Sequence, residues 1–457
     1  MLKKNKDEIV AHNLAALVQQ AGGIAYYVGG YVRDKILGTV SKDIDIEIHE
    51  LNDDKLYEIL KELGEPINIG NSFGIYTLRH HNIDISLPRK EDNNGRGKKD
   101  IAQYVDPFIG TKKAAMRRDL TINALMENIL TGEIVDHFNG VGDIKNGIIR
   151  HVDTTTFSED PLRVLRVAQF SARFNFSIAE ETIQVSKRLN LNNIPKERIF
   201  IELEKALLKA RHPSLFFETL RDMEQLDEYF PEVKNLIGVK QDPVHHPEGD
   251  VWNHTMLVLD AAAEVRETAQ YPMGLMMAAL CHDFGKVLTT EIIEGKIHSY
   301  GHESAGIDIA QTFIERISNT AKLKEYVLNL IKLHMKPIQM ATQKASSKSM
   351  CKMFDEAISY NDLILLSKID CCSRPKTENY EDIEKYLNDN LLIYLNRISL
   401  PQVSGKDLVN AGFAPDKDFH EALLFSHKLQ LSGVKKEEAL KHTISFLRTI
   451  RSSEQNE

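Results

Sequence analysis

The chain has 457 residues, 42% of them hydrophobic and 27% charged, with a formal net charge of −9. This is the composition of a globular protein of several domains, and no stretch approaches the roughly 18 uninterrupted apolar residues that a membrane helix needs. The acidic balance excludes a protein that coats nucleic acid with its whole surface, although a local basic groove can still hold phosphates.

The first segment, MLKKNKDEIVAHNLAALVQQ, places Ile9, Leu14, Leu17 and Val18 at helical spacing and has no apolar signal core, so it predicts an amphipathic surface helix. Ile24–Val28, Ile44–Ile48, Gly74–Arg79 and Ile83–Leu87 read as strands, with helices over Val32–Leu37 and Asp54–Leu63. Arg89–Lys99 carries five basic and two acidic side chains with two glycines; it reads either as a mobile basic loop or as a merely solvated one. Beyond about residue 155 the strand signals vanish. Helices are expected over Pro161–Phe174, Ala179–Leu189, Lys196–Lys209 and Ser214–Leu226, and from there to the end. A histidine-rich composition after HPSLFFETL marks a further boundary. The expected class is α+β, a head with a small mixed sheet followed by an all-α neck and body, divided as 1–155, 156–240, 241–375 and 376–457. None of the four cysteines, Cys281, Cys351, Cys371 and Cys372, forms a CxxC pair, which makes a reducing, cytoplasmic setting the default expectation.

The most informative stretch is YYVGGYVRDKILGTVSKDIDIEIHE. A strand runs into Gly29-Gly30, then a helix carrying Arg33 and Asp34, then a second strand with Asp43-Ile44-Asp45. Strand residues two apart share a face, so Asp43 and Asp45 present their carboxylates together while Ile44 and Ile46 point to the core. Neighbouring carboxylates repel unless a divalent cation lies between them, and magnesium suits oxygen ligands shared with substrate phosphates. Gly29 and Gly30 allow close backbone approach to a triphosphate at a helix start. Either motif alone fits a solvated acidic edge or an ordinary turn; the combination, with an arginine between, does not.

VGGYVRD followed by KDIDIEI resembles the signature of the class II tRNA nucleotidyltransferase and bacterial poly(A) polymerase family. MRRDLTINALMEN, VDHFNGVGDIKNGIIRHV (with Asp136, Gly140 and Asp143) and SEDPLRVLRVAQFSARFNF resemble further family segments in the same order. The resemblance implies magnesium at Asp43 and Asp45, nucleotide contacts from Gly29, Gly30, Arg33, Arg118 and Asp119, and base reading by Asp160 and Arg163 with Arg166 on the nucleotide. The last helix also has its own logic: Asp160, Arg163 and Arg166 fall at i, i+3 and i+6, an acceptor beside donors that can match a base edge. An ion-paired surface is the competing account of that spacing. Gln169 departs from the family, many of whose members have a further arginine there. Asp84, in NIDISLPRKE, is a candidate third carboxylate or a plain strand-end charge, and KERIFIELEKAL resembles a bracing helix with Glu197, Arg198 and Glu202.

A second constellation runs from HHPEGDVWNHTMLVLDAAAEV through LMMAALCHDFGKV, HSYGHESAG and LIKLHMKP to LLSKIDCCSRP. Histidines and carboxylates drawn from separate helices are how a helical bundle builds a metal site. The pattern resembles the HD metal-dependent phosphohydrolases and implies a divalent metal of unknown identity at His254, His282, Asp283 and Asp370, with His302 and His334 where some members bind a second ion. Asp250 is expected to orient a ligand; Lys286 reads equally as a phosphate contact or a surface lysine.

Head plus HD body resembles the bacterial CCA-adding enzymes that also carry phosphohydrolase activity. The expected function is template-independent addition of C, C and A from CTP and ATP to a tRNA 3′ end, with phosphohydrolase activity in the body. The alternatives are an A-adding or CC-adding specialist, a poly(A) polymerase, or a non-catalytic tRNA-binding protein. No membrane partner is expected, and the oligomeric state is left open.

Overall fold

The computed structural model describes residues 6–41, 43–68, 74–91, 103–373 and 380–454. The described chain divides into two compact units, Met1–Leu203 with Leu215–Gln225, and Glu204–Ser214 with Leu226–Glu457.

The first unit is built on a seven-stranded sheet. Its strands are β1 (Ile24–Val28), β2 (Ile44–His49), β3 (Pro66–Asn68), β4 (Ile75–Leu78) and β5 (Ile83–Ser86), then, after the small β6 (Arg89–Glu91) and β7 (Gln103–Val105) hairpin, β8 (Met126–Asn128) and β9 (Ile134–Val135). The order is β3-β4-β5-β2-β1-β8-β9, with β2 and β5 parallel and the other pairs antiparallel. The mixed sheet and the helical remainder are the α+β arrangement expected. Alternation along β2 explains its placement: Ile44, Ile46 and Ile48 are buried on one face, while Asp45 and Glu47 take the other. Asp43 is not itself in the strand but in the bend just before it. The register sets Asp45 opposite Asp84 of β5, so both carboxylates leave the same face side by side.

The helix Leu162–Phe174 buries Leu162, Val164, Leu165 and Ala168. Two strand pairs correct the expectation that strands end near residue 155. The two-residue strands β10 (Ile148–Ile149) and β11 (Ser177–Ile178) are parallel partners, too short to leave a periodic signal. In the second unit, β12 (Glu291–Ile293) and β13 (Lys296–His298) form an antiparallel hairpin around Glu294-Gly295, both at positive φ. Its signal was the short apolar–turn–apolar run EIIEGKIH, obscured by the helices on either side.

The second unit is otherwise helical. Val251–Val265, Pro272–Cys281, His302–Ile317, Ala321–Leu333 and Tyr360–Cys372 carry or flank the histidine–aspartate set. Pro272–Cys281 is buried at nearly every position, as expected of a central helix. Towards the end of the chain, Val403, Leu408, Phe419, Ala422, Ala439 and Leu447 form a separate small core. Among the basic residues there, Lys436 pairs with Asp407 at 3.0 Å and Arg451 with Asp416. None of the four cysteines forms a disulfide. No helix among the described residues is long and apolar enough to cross a membrane.

Candidate functional site

In the first unit Asp45 and Asp84 share one face of β2 and β5, and Asp43 stands in the bend just before β2. Burial raises the Asp45 carboxyl, and Asp84 and Asp43 raise it further against the opposing fields of Arg118 and Arg33. The Asp84 carboxyl is likewise raised, by burial and then by Asp43. Like charges so placed favour a divalent cation, and three carboxylates offer only oxygen, the donor type magnesium takes.

Next along the same face stands Glu47, buried, accepting from His49 at 2.9 Å and facing Arg118 at 3.5 Å. Burial would raise its carboxyl, but His49 and Arg118 outweigh that and hold it below the ordinary value. From Glu47 a cleft of about 400 Å³ opens, lined by Arg89, Arg117, Arg118, Asp119, Asp160, Arg163, Arg166 and Arg198 among others. A surface so rich in arginine, next to a carboxylate cluster, suits a phosphorylated ligand whose charge is shared between guanidinium groups and metal.

The cleft walls are held by a chain of charged hydrogen bonds. Arg33 is buried, donating to Asp34 at 2.8 Å and to Asn123 at 2.5 Å, with its guanidinium over the rings of Phe170 and Phe174. Asn123 donates to Asp119 at 3.1 Å, and Arg166 donates to the other Asp119 oxygen at 2.6 Å while lying 3.6 Å from Glu202. Burial opposes charge on Asp119, but Arg166, Asn123 and the Leu120 N–H prevail and lower its pKa. Arg163 donates to the carbonyls of Thr156 and Arg117 at 2.5 and 2.7 Å, which uses two of the five N–H groups of a guanidinium. Asp160 accepts from Arg198 at 2.7 Å, so the expected acceptor faces an arginine from another helix rather than Arg163. Gln169 is buried and its amide nitrogen has no hydrogen-bond partner.

Gly29 sits at φ +63°, and a Cβ there would come within 2.7 Å of the Arg118 guanidinium. Glycine thus lets β1 turn and Arg118 cross above it. Asp136 accepts from the backbone of Gly140 and Val141 at 2.8 and 2.9 Å, and Thr121 donates to Asp143 at 2.7 Å. These last residues shape the turn behind the cleft. Most of the basic run Arg89–Lys99 lies outside the described residues.

In the second unit, all six expected side chains meet although they come from five segments. Two sets have ligand atoms within 4.8 Å of one another: His254, His282 and Asp370, and Asp283, His302 and His334. All six are buried. The Nδ1 atoms point outward, to the carbonyls of Ala279 (from His282, 2.9 Å), Ser299 (from His302, 2.8 Å) and Ile331 (from His334, 2.6 Å), and to the Glu248 carboxylate (from His254, 2.9 Å). A carbonyl or carboxylate only accepts, so each Nδ1 carries a proton and each Nε2 faces inward.

The inward atoms are crowded. His254 Nε2 is 3.0 Å from Asp370, His282 Nε2 is 3.2 Å from Asp283, and the Nε2 atoms of His302 and His334 are 3.3 Å apart. Burial and then the rings of His282 and His302 push His334 down to about 3, so it is neutral, the form that ligates a metal. For Asp283, burial is outweighed by His282, Lys286 and His302, which hold its carboxyl well below the usual range. Inward-facing ring nitrogens beside two carboxylates, with the Lys286 ammonium 2.6 Å from Asp283 at one side, fit a divalent cation, and nitrogen with oxygen donors suits a transition metal or zinc. The Nε2 of His282 makes no well-aligned hydrogen bond, although Asp283 lies 3.2 Å from it.

Three models of known families match this chain: Poly A polymerase head domain over residues 25–150, Probable RNA and SrmB- binding site of polymerase A over 175–237, and HD domain over 251–374. The Multifunctional CCA protein of Actinobacillus pleuropneumoniae serotype 5b (strain L20) is 33% identical over 369 residues, spanning 78% of this chain and 87% of that protein. The chain belongs to the multifunctional CCA protein family. A second relative of that name, from Pasteurella multocida (strain Pm70), is 37% identical over 310 residues, 66% of this chain and 71% of its own. Among solved structures, the Bacillus stearothermophilus CCA-adding enzyme in complex with CTP superposes with a TM-score of 0.67 at 19% identity, covering 98% of this chain and 100% of that one. The Thermotoga maritima CCA-adding enzyme complexed with tRNA has a TM-score of 0.64 at 21% identity, over 98% and 97% of the two chains. These two likenesses show the fold.

Several residues take places that the sequence alone does not reveal. Glu47 follows Asp43 and Asp45 at the same spacing of two, a signal that lay in the sequence. Arg198, expected to brace a helix, lines the cleft and holds Asp160. Glu248, not Asp250, orients His254; Asp250 caps the helix Val251–Val265 by accepting from Asn253 N and also accepts from Gly238 N. Lys286 is buried, 2.6 Å from Asp283 and 2.8 Å from Gln241, so it is not a surface lysine. His246 and His298 line the same cleft as Asp283, His302 and Asp370, His298 as the last residue of β13.

Proposed function

We propose that this chain adds C, C and A to the 3′ end of tRNA without a nucleic-acid template, taking nucleotides from CTP and ATP. The single observation carrying the reading is the pairing of Asp45 with Asp84 on one sheet face, near enough to Asp43 for their charges to interact, together with the arginine-lined cleft that begins at Glu47. Asp43 and Asp45 would hold magnesium, with Asp84 beside them. Magnesium bound there supplies polarisation of the primer hydroxyl and neutralisation of charge on the pyrophosphate. The primer 3′-oxygen attacks the α-phosphorus, the bond to the bridging oxygen breaks, and pyrophosphate leaves. Arg118 lies where it can meet triphosphate oxygens, positioned by Gly29 and Glu47. Gly30, Arg33, Asp119 and Arg166 keep the nucleotide-binding walls in place. Asp160 and Arg163 offer an acceptor and the remaining donors of a guanidinium to the base edge, with Arg198 exchanging partners when a base arrives.

The second unit supports a second activity on the same chain: hydrolysis of phosphate esters, such as 2′,3′-cyclic or 2′-phosphates at RNA ends. His254, His282, Asp283 and Asp370 would hold one divalent ion, and His302 with His334 would complete a second set through Asp283. A metal there supplies hydroxide at neutral pH from bound water. Residues 1–155 then form the transfer head, 156–240 the neck, 241–375 the hydrolytic body and 376–457 a helical end, and a cytoplasmic location follows from the tRNA substrate.

The test is a gel assay on tRNA transcripts ending at the discriminator base, at C and at CC, each with magnesium and CTP, ATP or both. Completion of CCA on all three is expected. A single A added only to the CC end would make the chain an A-adding specialist, addition stopping at CC a CC-adding one, and an unbounded A ladder a poly(A) polymerase. No extension would leave a tRNA-binding protein with a silent head.

A further inference from the structure

We propose that the stacked rings of His298 and Tyr300 are a platform that seats the base of a nucleoside whose ribose phosphate enters the histidine–aspartate cleft. The inference rests on the hydrolytic reading of that cleft and deepens it by assigning the side chains that would hold the base.

The two rings lie 4.9 Å apart between centroids and 12° from parallel. His298 ends β13 and Tyr300 follows two residues later, and in an extended chain residues two apart share a side. Tyr300 is 70% exposed, so a broad aromatic face stands in water at the rim of a cleft of about 430 Å³. The same cleft is floored by Asp283, His302 and Asp370 and carries Lys286 on its wall. Its volume is that of sites that take ligands of nucleotide size.

A scattered exposed aromatic is ordinary. Three features set this one apart. It is stacked on a second ring, which fixes its plane. It is anchored to the metal cluster, because His302 Nδ1 donates to the carbonyl of Ser299, the residue between the two rings, at 2.8 Å. The Ser299 and Thr290 hydroxyls bond at 2.8 Å, which ties the far side of the hairpin down as well. A rigid aromatic face within a few residues of candidate metal ligands is what a base needs while its phosphate reaches the metals. Stacking also tolerates any base, since every base presents a π-face. A centre that cleared phosphate from RNA ends of differing sequence would use such a contact in preference to hydrogen-bond readout.

The experiment compares adenosine 2′-phosphate with glycerol 2-phosphate, two monoesters of secondary alcohols of which only the first carries a nucleoside base. Full-length protein is assayed with the divalent ion that supports hydrolysis, and binding of adenosine 2′-phosphate is measured separately by calorimetry. Tyr300→Ala is expected to lower the preference for the nucleotide in kcat/KM by roughly tenfold or more, chiefly through KM, and to weaken calorimetric binding equally. Tyr300→Phe is expected to restore both. An unchanged preference and affinity in Tyr300→Ala would overturn the platform. Wild-type protein that hydrolyses neither ester would remove the hydrolytic reading instead, and the platform would then be judged on nucleotide binding alone.

Discussion

Glu248 holds His254 from outside the histidine–aspartate cluster, its Oε1 accepting from Nδ1 at 2.9 Å while the opposite ring nitrogen faces Asp370 at 3.0 Å. The same oxygen accepts from His246 at 2.8 Å, so one carboxylate orients two rings. The two imidazoles pull the Glu248 carboxyl down to about 2 despite burial, which leaves it charged at every working pH. Glu248→Gln is expected to weaken divalent-metal binding by about 10- to 100-fold, because an amide can present its nitrogen and turn the ring. Metal titration monitored by calorimetry checks this, with circular dichroism confirming an unchanged fold. Undiminished affinity would mean that the backbone alone places His254.

Asp45 gives a prediction with a definite sign. Its carboxyl is raised by burial and then by Asp84 and Asp43. A carboxyl whose folded pKa exceeds its unfolded one binds more protons when folded, so its contribution to stability falls as pH rises between those two values. Above that window its charge costs the metal-free fold. Asp45→Asn should therefore abolish nucleotide addition yet raise the melting temperature of metal-free protein at pH 7 by roughly 1–2 °C. The gain should vanish as pH falls below the ordinary carboxylate value, where both states are protonated. A variant destabilised at pH 7 would show that Asp45 is a structural anchor.

Neighbouring glycines should behave differently. Gly29 needs a positive φ, which costs a non-glycine residue about 1 kcal/mol, and a Cβ would meet Arg118 at 2.7 Å. At Gly30 the nearest atom, on Arg33, is 3.4 Å from such a Cβ. Gly29→Ala is expected to raise KM for CTP and ATP several-fold by displacing Arg118, and Gly30→Ala to do much less. Steady-state kinetics on a CC-ended and a C-ended transcript decide the matter; equal effects would locate the role in the backbone, not in Arg118.

Arg166 neutralises two buried carboxylates, Asp119 at 2.6 Å and Glu202 at 3.6 Å. Removing the arginine strands buried charge, so Arg166→Met should cost about 3 kcal/mol. Asp119→Asn in the same chain should recover part of that loss. Urea unfolding of the two single variants and the double variant gives the coupling directly, and strict additivity would show that the pair is not the source.

Much of this protein was legible in one dimension. Period-two alternation placed β1, β2, β4 and β5 to within a residue or so, because one buried face forces strand register and its apolar residues repeat accordingly. The six histidines and aspartates that meet in the second unit were readable because a candidate metal site restricts residue type. What the fold alone decided were partnerships between residues distant in the chain. The β2–β5 register put Asp84 beside Asp45, the helix Lys196–Lys209 carried Arg198 to Asp160, and a loop rather than a helix cap brought Glu248 to His254. The hairpin that sets Tyr300 over the cleft was hidden for the same reason: three-residue strands hold too few residues to show a period, and their pairing exists only once the chain has folded.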